Sequence, residues 1–130
     1  MRMKIIGIGI DIIKNERIRI LARNKKFLSR TFTNNEIMSS RKIKNKISYL
    51  AKRFAAKESF AKAIGTGFRN KLNFKDIEIK NNKEGKPFFT KSKKINEIII
   101  KRFNIKRYDL FLSISDEKDY SIAFTILQVK

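Results

Sequence analysis

From Lys4 to Ile13 isoleucine recurs at every second residue or closer, with Gly7 and Gly9 set between, and this alternation predicts a β-strand. Ile6, Ile8, Ile10 and Ile12 share one face of it. Ile5, Gly7, Gly9 and Asp11 share the other. The glycine face lets another backbone or a ligand come close. Asp11, at its end, serves there either as a cap for the next helix or as a functional carboxylate. Residues 15–29 have helical spacing, with Ile18, Leu21 and Ala22 toward a core. Thr33-Asn-Asn-Glu36 has the form of a capping box and predicts a short helix to about Ser40. A basic linker, 41–46, leads into the longest helix, 47–65, which is rich in alanine and ends on Gly65 in the position of a C-terminal cap. Around that helix Ile47, Leu50, Ala51, Phe54, Ala55 and Ala61 form a stripe with Glu58 near its middle. Lys62 lies at the edge of the stripe, and Arg53 and Lys57 flank it. Residues 74–80 and 86–90 predict a hairpin about the turn 81–85, with Pro87 at an edge or a strand start. A helix over 95–103 follows. A second hairpin joins 109–115 to 120–129. The expected fold is α+β, an antiparallel sheet with one long central helix, in a single domain over 1–130.

A carboxylate inside an apolar stripe is costly unless it is paired or holds a metal. The residues around Glu58 fit two readings. One is a buried Glu58–Lys62 ion pair. The other is a metal and phosphate site, with Glu58 on the metal and Arg53, Lys57 and Lys62 on phosphate oxygens. Composition narrows the chemistry. The chain has no cysteine and no histidine, which excludes disulfides, thiolate nucleophiles and histidine triads. What remains suits oxygen-preferring metals such as Mg²⁺ or Mn²⁺. Lys+Arg number 32 against 12 Asp+Glu, a formal charge of +20, so an anionic partner is expected. In the first helical segment Arg17, Arg23, Lys25 and Lys26 stand with Glu16 as the lone acid, and they form a candidate docking surface. The apolar run after the first residues is cut by Asp11 and is too short for a signal segment or a membrane span, so a cytoplasmic protein with no membrane partner is expected. Strand faces so rich in isoleucine and phenylalanine predict a homo-oligomer. A nucleic-acid-binding module is the rival class, on the charge and on 11 Phe and 3 Tyr. The aromatics fall mainly at core-like positions and no such motif is present, so no nucleic-acid partner is expected.

Five segments occur in a telling order: Gly7-Ile-Gly-Ile-Asp11, Arg53-Phe-Ala-Ala-Lys-Glu58-Ser-Phe-Ala-Lys62-Ala-Ile-Gly-Thr-Gly67, Asp76-Ile-Glu-Ile, Gly85-Lys-Pro87, and Leu112-Ser-Ile-Ser-Asp116 followed by Tyr120. Together they resemble the holo-[acyl-carrier-protein] synthases, the short bacterial class of 4′-phosphopantetheinyl transferases. The likeness runs over nearly the whole chain, and the long central motif is its most specific part. It implies transfer of phosphopantetheine from coenzyme A to a serine of apo acyl carrier protein, with release of adenosine 3′,5′-bisphosphate, in support of fatty acid biosynthesis. It also implies Mg²⁺ on Asp11 and Glu58, with Glu58 and Lys62 catalytic. Coenzyme A contacts are implied for Arg53, Lys57, Lys62, Gly65, Thr66, Gly85, Lys86 and Pro87, and a homotrimer with sites between subunits. The first helix would dock the acidic carrier. The nucleophile belongs to the carrier; for the general base, Glu58 and a metal-bound water both remain open. Lys14 stands where many members have Glu, and Asp116 where many have His.

Overall fold

The structure, a computed structural model, describes residues 3–69 and 71–130. Strand β1 (Lys4–Lys14) pairs antiparallel with β5 (Tyr120–Val129), which pairs antiparallel with β4 (Tyr108–Asp116), giving the order β1-β5-β4. Helix α4 (Lys46–Ile64) lies across this sheet. Shorter elements close around it: α1 (Asn15–Leu21), α2 (Lys25–Thr31), α3 (Asn34–Arg41), the two-stranded ribbon of β2 (Ile79–Asn81) and β3 (Pro87–Phe89), and α5 (Lys93–Phe103).

The two faces of β1 do opposite things. A Cβ added at Gly9 would sit 1.9 Å from the Ser59 carbonyl oxygen, and one at Gly7 would sit 1.9 Å from that of Ala63. Glycine is there because the α4 backbone lies where a side chain would be. Across from them stand Leu127, Thr125 and Ala123 of β5, all fully buried beneath α4. Ile8, Ile10 and Ile12 point the other way and are each about 60% exposed, with Ile126, Phe124 and Ile122 as their cross-strand partners. Phe111 on β4 extends the same open face.

Some boundaries differ from the sequence pattern. The predicted helix 15–29 is two helices, because Asn24 turns its side chain onto the N–H groups of Lys26 and Phe27 and caps a new start. The predicted strand 74–80 begins as a single 3-10 turn (Phe74–Asp76), held by Asp76 accepting from the Asn73 N–H, and only its end pairs as β2. The capping box of Thr33 and Glu36 is present, and Gly65 ends α4 at φ 77°. Asp11 caps nothing: α1 starts at Asn15, with Lys14 in the N-cap position.

Candidate functional site

Helix α4 is buried on nearly all sides, and this alters the meaning of its charges. Of residues 53–63 only Glu58 and Lys62, one turn apart, escape full burial. Glu58 therefore stands on the one open strip of the helix rather than amid a core-facing stripe. The glycine face of β1 runs alongside, and Asp11 ends it opposite small Ala123. Lys62 Nζ donates to the Ile10 carbonyl at 2.9 Å and pairs with Asp11 at 3.2 Å. Of the two readings of Glu58, the Glu58–Lys62 ion pair is absent, because Lys62 pairs with Asp11 instead.

The two carboxyls feel each other. Burial raises the pKa of Glu58 above its ordinary value, and the charge of Asp11 raises it further, against Lys62 and Arg17. Burial likewise raises Asp11, opposed by the hydrogen bond and charge of Lys62 and by Arg17. Two half-buried acids that repel one another make a place suited to a cation. Among the described residues no third acid joins them. That donor set suits Mg²⁺, which commonly takes one or two carboxylates and completes its shell with water and substrate phosphate.

The remaining candidates lie in three other places. Arg53 is buried, with its guanidinium 4.2 Å over the Tyr49 ring and hydrogen-bonded to Asn81, whose amide donates to the Gly85 carbonyl at 2.8 Å. Its Nε has no partner among the described residues, and Arg53 lines a cleft of about 670 Å³ with Tyr49, Lys42 and Asn81. Lys86 and Pro87 line a second cleft, against Phe111, Phe124 and Ile126 at the margin of the open sheet face. Gly65 and Thr66 form a turn whose end is held by Arg102, donating to the carbonyls of Ile64 and Gly65. Arg53, Lys86 with Pro87, and Thr66 line three clefts, none of which has Asp11 or Glu58 in its wall.

Lys57 does not stand where the sequence pattern places it. Instead of reaching phosphate it is fully buried, paired with Glu36 at 2.7 Å and donating to the carbonyls of Phe74 and Ile77. Burial lowers its pKa and Glu36 opposes the shift. Arg17, expected only at the docking surface, also faces the acids and lies 6.0 Å from the Phe54 ring centre. Asp116 accepts from the Ser48 hydroxyl at 3.0 Å, tying β4 to the start of α4. Asn81 and Tyr49 carried no sequence signal, since neither belongs to a spaced pattern of charges.

Residues 7–125 match the model of the 4′-phosphopantetheinyl transferase superfamily. The chain belongs to that family. It is 56% identical over 128 residues to a holo-[acyl-carrier-protein] synthase of Pelagibacter ubique, covering 98% of this chain and 100% of that one. Its fold is similar to a holo-(acyl-carrier-protein) synthase of Bacillus anthracis in complex with CoA (3′,5′-ADP), at TM-score 0.81 and 35% identity, over 99% of this chain and 100% of that one. The Neisseria meningitidis holo-[acyl-carrier-protein] synthase gives TM-score 0.84 and 38% identity, over 95% and 98%. The chain is an enzyme of this class.

Proposed function

We propose that the chain moves the 4′-phosphopantetheine group from coenzyme A to a serine of an apo acyl carrier protein, releasing adenosine 3′,5′-bisphosphate. The observation that carries this reading is the pairing of Asp11 at the end of the β1 glycine face, held by Lys62, with Glu58 on the open side of α4. The serine hydroxyl gives its proton to a base, either Glu58 or a water, and its oxygen attacks the phosphorus that bears pantetheine. A new P–O bond forms there, and the bond to the pyrophosphate bridging oxygen breaks. Asp11 and Glu58 would hold Mg²⁺, which neutralises charge building on the phosphate oxygens. Lys62 fixes Asp11 and offers its ammonium to the same oxygens. We assign the buried guanidinium of Arg53, the Gly65-Thr66 turn and the Gly85-Lys86-Pro87 segment to coenzyme A. These groups are separate within one chain, and the uncovered Ile8, Ile10, Ile12 and Phe124 face supports closure by further copies, as a homotrimer that completes each site from two subunits. The family match over 7–125 supports one transferase domain across 1–130. Holo carrier made this way serves fatty acid biosynthesis. We place the enzyme in the cytoplasm, beside its coenzyme; among the described residues no helix is long and apolar enough to cross a membrane. Incubation with coenzyme A, Mg²⁺ and apo carrier tests the reading: the carrier gains the mass of one phosphopantetheine. Tight oligonucleotide binding without transfer would overturn it.

The carrier is assigned to α1, the turn after it and the first residues of α2. Arg17 sits beside the carboxylates, and Arg23, Lys25 and Lys26 continue outward as exposed cations. Charge reversal at Arg23→Glu with Lys26→Glu is expected to raise the KM for carrier at least about tenfold, roughly 1.4 kcal/mol. The KM for coenzyme A stays near its original value. Normal use of the carrier by this variant would move the docking site elsewhere, first to the basic segment 41–46.

A further inference from the structure

Glu58 is bracketed in the chain by two residues that are each wholly buried and each tied by polar bonds. Lys57 and Ser59 lie about 100° to either side of it around the helix. On one flank the Lys57 ammonium uses all three of its protons, on Glu36 Oε1 at 2.7 Å, the Phe74 carbonyl at 3.0 Å and the Ile77 carbonyl at 2.6 Å. Glu36 is satisfied in turn. Its Oε1 also accepts from the Thr33 N–H, and its Oε2 accepts from the Ile79 N–H, both at 3.0 Å. The start of α3, the middle of α4 and the approach to β2 are thereby joined at one buried point. On the other flank the Ser59 and Thr125 hydroxyls share a hydrogen bond of 2.6 Å, which ties α4 to the sheet.

We propose that Glu36 and Lys57 are a positioning pair for Glu58: by fixing the rotation of α4 they face its carboxylate toward Asp11. This rests on the reading of Asp11 and Glu58 as the metal pair. Apolar contacts between a helix and its neighbours let it roll by small angles as side chains repack. An ammonium held by three acceptors has one place to be. A small roll about the α4 axis would carry Glu58 off the line of the β1 glycine face, while the rest of the helix, buried all round, would still find apolar surroundings. A metal site tolerates such displacement poorly. Lys57 has neither a free proton nor exposure with which to meet a phosphate, so its effect on the reaction runs through its neighbour.

The test uses the double variant Glu36→Gln with Lys57→Met, which removes both charges together and leaves no buried ion alone. We expect a cooperative melting transition and unchanged oligomer size. We also expect kcat lowered about tenfold, a KM for coenzyme A within about twofold of the parent, and Mn²⁺ affinity of the coenzyme-free protein, read by electron paramagnetic resonance, weakened about tenfold. Glu36→Gln alone keeps the shape and an oxygen for the ammonium but loses the acceptor for the Ile79 N–H; it should show the same split at about threefold. Parental kcat and Mn²⁺ affinity in both variants would reduce the pair to packing. A raised KM for coenzyme A with kcat unmoved would make Lys57 a phosphate ligand after all. Failure of both variants to fold would overturn a role separable from stability. Glu58→Gln is the control: if that variant binds Mn²⁺ like the parent, the metal reading fails and not the pair.

Discussion

Replacing Glu58 by glutamine is expected to cost about a hundredfold or more in turnover, with only partial recovery at high Mg²⁺. The substitution keeps the shape of the side chain and removes one of two carboxylates that would hold the ion. A metal contribution to the transition state of several kcal/mol corresponds to that range. The same substitution is expected to stabilise the fold in metal-free buffer. Burial and the charge of Asp11 both raise the Glu58 pKa. An acid so raised keeps its proton more tightly in the folded chain than in the unfolded one, so its ionisation opposes folding. Stability is greatest below the ordinary value of 4.5 and falls as pH rises through the raised value. The Glu58→Gln variant should therefore melt above the parent at neutral pH, with the difference closing toward pH 4.5 and below. Thermal melts across pH, with assays beside them, check both halves. Near-parental turnover at low Mg²⁺ would remove Glu58 from the site.

The second large effect is expected at Gly9. A methyl there would lie 1.9 Å from the Ser59 carbonyl oxygen and 2.7 Å from the Ala63 nitrogen. Overpacking a core with one carbon typically costs about 1–3 kcal/mol when side chains can move aside. Here the obstacle is helix backbone, so Gly9→Ala belongs at or beyond the upper end of that range. β1 and α4 must part, and they carry Asp11 and Glu58. What remains folded should have lost most of its activity, because the two carboxylates no longer face one another. Urea unfolding followed by circular dichroism gives the first number and the transfer assay the second. A parental midpoint would mean that β1 and α4 do not lie this close.

Much of this arrangement was legible in the sequence, for reasons that differ residue by residue. Asp11 and Glu58 stood out because acids are rare beside glycines in a strand and inside an alanine-rich helix, and the structure brings those two together. Gly65 and the Thr33–Glu36 box were readable because caps are local chemistry. Lys57 was misplaced because a helical wheel shows which residues share a face but not what covers it. α4 is enclosed on almost every side, so a flanking lysine met a carboxylate 21 positions away in the chain rather than solvent. The break at Asn24 was hidden by a run of residues that all tolerate helix. The Arg53–Asn81–Gly85 chain depends on the ribbon docking against α4, and no spacing announces that.

Strand β1 also divides the freedom of the chain to vary. The side chains of Ile8, Ile10 and Ile12 lie on the open face, beside Ile126, Phe124 and Ile122 of the neighbouring strand, while Gly7, Gly9 and Asp11 are each bound by a backbone or a charge. Substitutions between Gly7 and Ile12 are thus sorted by parity. Odd positions answer for the interior and the chemistry, and a change there damages every copy in which it occurs. In the proposed assembly the even positions would answer for the company the molecule keeps. Drift there would change how tightly copies associate, and so how scarce the protein could become before it stopped working, without disturbing the carboxylates on the other side of the sheet.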